Sequence, residues 1–166
     1  MAVREVLLLG NPKLYESSRS VCREELGSVA SMVGDLHDTL MDFRKCYGAG
    51  RAIAAPQVAV MKRVIYLHLD RPTVLINPTL SDRSGETIVV WDDCLCFPDL
   101  LVRVRRHRSC WIHFRDMEWT ERHVVLNDDL SELLQHECDH LDGILAVSRA
   151  MDGRAFALRS QRTLLD

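Results

Sequence analysis

Apolar residues early in the chain recur at three- and four-residue steps: Leu26, Val29, Val33, Leu36, Leu40 and Phe43 mark one stripe. That period lines one face of an α-helix and predicts a long helix over residues 21–47. Ser17, Ser18 and Ser20 offer N-caps, Glu24 and Glu25 suit the positive end of the helix dipole, and Gly48 is placed to end the helix. The middle of the chain changes character. β-branched and apolar runs at 63–69, 73–76, 87–91, 101–104, 110–114 and 123–126 alternate with turn formers such as Asp70-Arg71-Pro72 and Asp116-Met117-Glu118. These runs are expected strands. A second helix is expected over residues 129–142, capped by Asn127, Asp128 or Asp129 and closed by Gly143. A helix, a series of strands, then a helix is an α+β order rather than a βαβ alternation. No repeat or Pro/Gly/Ser-rich linker interrupts it, so a single domain over residues 1–166 is expected.

Composition narrows the class. Hydrophobic residues are 47% and charged residues 27%, which excludes a disordered, collagen-like or coiled-coil chain. A net charge of −3 argues against a chain-wide nucleic-acid surface, so DNA is not an expected partner. No apolar run approaches the roughly 18 residues of a membrane span. The first nine residues carry Arg4 and Glu5, unlike a secretory leader, so a cytoplasmic chain with reduced thiols is expected. Most of the six cysteines, at 22, 46, 94, 96, 110 and 138, are then read as small buried hydrophobes, with one or two left for metal binding or reactivity.

The strongest chemical signal is His136-Glu137-Cys138-Asp139-His140, an H-E-x-x-H pattern on the second helix. Residues four apart share a helical face, so both imidazoles reach one metal ion. Glu137, next to the first histidine, stands where a general base for a metal-activated water belongs. The bland alternative is a helix with two exposed histidines. A catalytic site needs one more protein ligand. Candidates are Cys94, Cys96, Cys138, His107, His113 and His123; Cys138 falls on the opposite side of the helix and these histidines lack a competing spacing, while spacing alone does not choose between Cys94 and Cys96.

Three ordered segments carry a family resemblance. Gly50-Arg51-Ala52-Ile53-Ala54-Ala55-Pro56-Gln57 is similar to G-x-G-L-A-A-P-Q, Asp92-Asp93-Cys94-Leu95-Cys96 to E-G-C-L-S, and Gln135 to Gly143 to Q-H-E-x-D-H-L-x-G. Together they resemble the peptide deformylases, metal hydrolases that remove the formyl group from N-terminal formylmethionine. The resemblance implies antiparallel sheets around a central metal-binding helix. It implies Cys94, His136 and His140 as metal ligands and Glu137 as the acid/base. Gln57 and the Leu95 N–H become donors to the formyl oxygen. It also implies one divalent ion, with Fe2+ native and Zn2+, Ni2+ or Co2+ as other occupants, and a formylated peptide as substrate.

The chain departs from the family at informative places. Arg51 replaces a small aliphatic residue, Ala52 a glycine, Asp92 a glutamate, Asp93 a glycine and Cys96 a serine. Asp92 is one methylene shorter, so any ion pair of the family's glutamate has to be rebuilt. Asp93 is a tolerable replacement if that position has positive φ. Glu132 lies one helical turn before His136, and Arg51 with Glu132 is a candidate ion pair lining the substrate cleft, against two separate solvated charges. Gly50, Arg51, Ala52, Asp93 and Glu132 are therefore the candidate substrate contacts. The basic run Arg103, Arg105, Arg106, His107 and Arg108 is read as a solvated strand end. A weak ribosome contact is the second reading, shared with Arg154, Arg159 and Arg162. Three other functions fit the motifs: an amidase on another formylated or acylated amine, a catalytically impaired deformylase-like scaffold, and a zinc peptidase. The last is disfavoured by an upstream cysteine ligand.

Overall fold

A computed structural model describes residues 2–165. The long helix α1 (Leu26–Tyr47) starts five residues later than its periodicity predicts. A 3₁₀ turn, Arg23–Glu25, precedes it. Val21 explains the delay: its N–H donates to Asn77 Oδ1 at 2.8 Å and its carbonyl accepts from Asn77 Nδ2 at 2.9 Å. These bonds fix the backbone extended, and the turn is closed by Cys22 N–H on Glu25 Oε2 at 2.8 Å. The capping role assigned to Ser17, Ser18 and Ser20 is thus corrected, because the helix begins beyond their reach. Gly48 ends α1 in the left-handed region at φ 66, with its N–H on Arg44 O.

The strands form two antiparallel sheets. β1 (Ala52–Ala54), β2 (Val64–His68), β3 (Pro72–Ser81), β6 (Ser109–Arg115) and β7 (Glu121–Asn127) make a five-stranded sheet in the order β1-β2-β3-β6-β7. β4 (Thr87–Asp93), β5 (Leu100–His107) and β8 (Phe156–Leu158) make a three-stranded sheet in the order β4-β5-β8. β1 and β8 are three residues each, too short for a periodic signal. β3 runs on to Ser81 through an irregularity between Ile76 and Thr79, where Asn77 takes φ 51 and Pro78 has no N–H to give.

Helix α2 (Asp128–Leu141) is buried from Ser131 to Leu141. Its apolar side, Leu133, Leu134, Cys138 and Leu141, packs on Ile65, Leu75, Ile112 and Leu126 of the larger sheet. α1 covers the same sheet elsewhere, burying Leu36, Leu40 and Phe43 against Ile53, Val64 and Tyr66. A third cluster lies under the small sheet and joins Cys94, Cys96 and Phe97 to Val102, Val104 and Leu14.

The N-terminal strand-like segment ties these parts together. Arg4 Nε and Ala2 N–H both donate to the Asp35 carboxylate at 2.8 Å, and the Arg4 N–H donates to Thr39 Oγ1 at 2.8 Å. Further on, the Leu7 N–H meets Gln57 O at 2.8 Å and the Leu9 N–H meets Cys96 O at 2.9 Å. One extended segment therefore holds two of the three motif segments to α1.

Gly143 closes α2 at φ 72, and a Cβ there would stand 2.5 Å from Tyr15 O. Gly143→Ala is expected to destabilise the fold by about 1–3 kcal/mol, read as a lowered midpoint in urea unfolding. The Arg4 guanidinium, then the Ala2 N–H, hold the Asp35 carboxyl below its ordinary value. A lowered folded-state pKa means the clamp is intact above the ordinary carboxylate range and is lost as pH falls through the folded value. Amide exchange of residues 2–9 is expected to accelerate selectively below about pH 4, before global acid unfolding.

Candidate metal centre

The second helix carries its histidines because its N-terminal half is locked to the end of β5. The expected side-chain cap is absent: Asn127 makes no capping bond, and Asp128, at φ 44, gives its N–H to Arg108 O at 2.8 Å. Ser131 Oγ and Gln135 Nε2 both donate to His107 O, at 2.9 and 2.8 Å, and Gln135 Oε1 accepts the His107 N–H at 3.0 Å. This grip sets the rotation of α2 and aims His136 and His140 away from the apolar sheet. Both are buried, unlike the exposed pair of the bland alternative.

Cys94 meets them at the end of β4. The His136 and His140 Nε2 atoms are 3.1 Å apart, and Cys94 Sγ is 3.2 Å from His140 Nε2. The three ligand atoms lie within 4.8 Å of one another. The other candidates for third ligand are elsewhere. Cys138 faces the large-sheet core, where burial pushes its thiol up. His107 Nδ1 is on Ser84 O, His113 Nε2 is on Ser81 Oγ, and His123 pairs with His113 across β6 and β7. Cys96 is adjacent in the turn after β4, its N–H on Cys94 Sγ at 3.4 Å. All six cysteines are free thiols.

Gln57 sits in the 3₁₀ turn Ala55–Val58 after β1. Its Oε1 accepts the Ala54 N–H at 2.8 Å, which turns Nε2 towards Cys94 and Cys96 Sγ at 3.6 and 3.5 Å. Glu137 projects into a cavity of about 240 Å³ that Phe43, Ala52, Leu95 and Leu133 line on its apolar side. The Glu137 Oε2 atom is buried and has no hydrogen-bond partner among the described residues.

Charge behind the site is arranged in a buried chain. His136 Nδ1 is 2.9 Å from Asp92 Oδ1, and Arg106 reaches Asp92 Oδ2 at 3.0 Å with one amino group and Asp139 with the other. Arg149 completes the chain with two 2.6 Å bonds to Asp139. Burial alone would raise the Asp92 carboxyl, but His136 and Arg106 overturn that and hold it at about 2. Burial drives Glu137 up to about 7, only partly offset by His136. Burial, then the neighbouring His136, pushes His140 well below the ordinary imidazole value and keeps it neutral. Burial lowers His136, but Asp92 outweighs it and holds the imidazole up at about 9; on binding a divalent ion, Nε2 would give up its proton and Nδ1 would keep the one it donates to Asp92.

This arrangement fits a metal ion. A soft sulfur and two imidazole nitrogens converge in a buried space, and an unpartnered carboxylate oxygen stands beside them. That donor set suits a borderline divalent transition ion.

Two sequence readings are corrected here. Arg106 is not part of a solvated strand end: it is 3% exposed and holds two carboxylates. The period-two alternation of Val102, Val104 and Arg106 was the signal for it. Asp93 lies in β4 and is not among the positive-φ residues, so it needs no glycine-like backbone. Its carboxylate instead takes Arg159 at 2.9 Å. Arg51 and Glu132 do pair, through Arg51 Nη2 and Glu132 Oε1. Gly50, at φ 113, packs under Leu40 and Phe43, and Ala52 is buried at the start of β1.

Comparison with known proteins finds one family. Residues 3–155 match the family model described as polypeptide deformylase. "Peptide deformylase 1" of Prochlorococcus marinus (strain MIT 9313) is 33% identical over 175 residues, covering 97% of this chain and 88% of that protein. The peptide deformylase of Heliobacterium modesticaldum is 34% identical over 150 residues, covering 90% and 95%. Among solved structures, a Synechococcus elongatus peptide deformylase in complex with actinonin superposes with a TM-score of 0.83 at 26% identity, covering 90% of this chain and 80% of that one. A Met-Ala-Ser-bound class I type b peptide deformylase of Acinetobacter baumannii superposes at 0.82 and 26% identity, covering 89% and 98%.

Arg106→Met is expected to leave Asp92 buried without its arginine and to cost about 3–5 kcal/mol. Urea unfolding of the metal-free protein measures it. A loss under 1 kcal/mol would mean the chain of charges does not hold α2 to the small sheet.

Proposed function

Because the chain belongs to the polypeptide deformylase family, it is a hydrolase of N-formyl peptides, and we propose that the Cys94, His136 and His140 centre releases formate from formylmethionyl peptides with Glu137 as acid and base. The observation that carries this is the convergence of three ligand atoms beside a buried carboxylate with an unpartnered oxygen. Cys94 Sγ and the two Nε2 atoms would hold one divalent ion, Fe2+ as the native occupant and Zn2+, Ni2+ or Co2+ as substitutes. When bound, the ion supplies Lewis acidity that makes water nucleophilic near neutral pH.

The chain's own residues supply the rest. Glu137 takes a proton from the attacking water and returns it to the departing amine nitrogen. Burial, which raises its proton affinity, suits both transfers. Gln57 Nε2 and the Leu95 N–H donate to the formyl oxygen as negative charge grows on it. Asp92 keeps the proton on His136 Nδ1 and so fixes the imidazole's orientation. Phe43 and Leu133 form an apolar wall for the first side chain. Gly50, Arg51, Ala52, Asp93 and Glu132 contact the peptide along the cleft.

The whole chain acts as one metallohydrolase domain, and we place it in the cytoplasm, where formylated chains are made. No helix among the described residues is long and apolar enough to cross a membrane.

The test is anaerobic formate release from formyl-Met-Ala-Ser by iron-loaded protein, with metal analysis alongside. Glu137→Gln is expected to lower kcat by about 10²–10⁴ while the bound metal stays stoichiometric. Cys94→Ala is expected to lose the metal itself. Absence of formate release from the peptide, with release from other formylated amines, would reassign the protein as a related amidase.

A further inference from the structure

β8 and a 3₁₀ helix, Arg159–Leu164, follow residue 155, where the match to the family model ends. This segment is anchored as a wall of the site. β8 pairs with β5 through Leu100↔Leu158, Leu101↔Ala157 and Val102↔Phe156. Arg159 then fastens it: its N–H meets Asp99 O at 2.8 Å, its Nε meets Pro98 O at 2.6 Å, and its Nη2 meets Asp93 Oδ2 at 2.9 Å. The Arg159 side chain lines both the metal cavity and an adjoining groove of about 570 Å³. The two spaces also share Arg51 and Asp93, so a peptide with its formyl end at the metal centre and its remainder in the groove passes Arg159.

Arg51, Arg159 and Arg162 share that groove with Asp92, Asp93, Asp129 and Glu132, and the ion pairs among the described residues leave Arg162 and Asp129 over. Arg51 pairs with Glu132 and also feels Asp129 and Asp93. Arg159 pairs with Asp93. Arg162 lines the groove, is exposed, and has no acidic partner among the described residues. In a 3₁₀ helix, positions i and i+3 eclipse, so Arg159 and Arg162 stand one above the other along the wall. A guanidinium offers five N–H donors, of which Arg159 spends two on Pro98 and Asp93.

We propose that the C-terminal segment is a substrate-positioning wall, on which Arg162, stacked beyond Arg159, receives a carboxylate carried by the peptide downstream of its first residue. The proposal rests on the deformylase reading for the direction of the peptide. The carboxylate has two sources, the C-terminus of a short peptide or an Asp or Glu side chain in a longer one.

Equilibrium binding separates these without depending on turnover. Trp91 lines the same groove and reports occupancy by its fluorescence. Three unformylated probes are titrated: Met-Ala-Ser with a free carboxylate, Met-Ala-Ser amide, and Met-Ala-Asp amide. Metal-loaded protein is expected to bind at least one carboxylate probe about three- to fivefold more tightly than the neutral amide, as for an exposed charge pair. The preference is expected to shrink with rising ionic strength. Arg162→Gln is expected to bring the ratio close to one, and Arg162→Lys to restore part of it. Equal affinities for all three probes would overturn the proposal, as would a preference that survives Arg162→Gln. Neither result would touch formate release, whose absence would instead count against the deformylase reading.

Discussion

Arg106 is the charge on which the active end of this molecule depends. Its guanidinium stands in a place that excludes water, and it is tolerable there only because Asp92 and Asp139 lie on either side of it. Those two carboxylates come from different elements. Asp92 belongs to β4 of the small sheet, and Asp139 belongs to the histidine helix. Buried ions need partners, since an unpaired one costs several kcal/mol. The arginine therefore holds the two elements in one relative position, and Arg149 secures the Asp139 side from a second direction. Asp92 passes the constraint on to His136, whose ring orientation follows from the contact at Nδ1. The ligand geometry is thus a consequence of a salt-bridge chain that itself touches no substrate.

A second constraint acts from the opposite side. The N-terminal segment runs antiparallel to no strand for long, yet its N–H groups reach Gln57 O and Cys96 O. Both carbonyls belong to turns, which have few internal bonds to hold them. Tying them to one segment fixes the distance between the Gln57 amide and the Cys94 sulfur. The same segment is clamped on α1 by Arg4, Asp35 and Thr39. Long-range contacts of this kind explain how short motif segments with little secondary structure hold side chains such as Gln57 and Cys94 in place.

The mouth of the site differs in character from its floor. The floor is apolar on one side and carries the ligand atoms on the other. The mouth is crossed by two ion pairs, Arg51 with Glu132 and Arg159 with Asp93. Arg51 and Asp93 stand at positions where the resembling family has uncharged residues, and each has found a partner from another element. The departures therefore leave the Cys94, His136 and His140 cluster untouched and change the charges at the mouth of the cavity.

Much of this was legible in the chain itself. A stripe at helical spacing is a one-dimensional pattern, so α1 could be read from it to within five residues, and α2 was placed to within one residue by the polar residues before it and Gly143 after it. Histidines four apart on a helix must share a face, and with Glu137 between them they make a candidate metal site without any knowledge of the fold. Other features are products of tertiary contact. The start of α1 was decided by Asn77, more than fifty residues away in sequence, which holds Val21 extended. That Cys94 rather than Cys96 clusters with the two histidines needed β4 to be brought against α2, and residue spacing carries no information on that distance. The burial of Arg106 was hinted at by alternation in β5, but its two acidic partners lie 14 and 33 residues away. The placing of Arg159 and Arg162 along the groove had no local signature at all, because position in the chain does not say which charges the fold sets side by side.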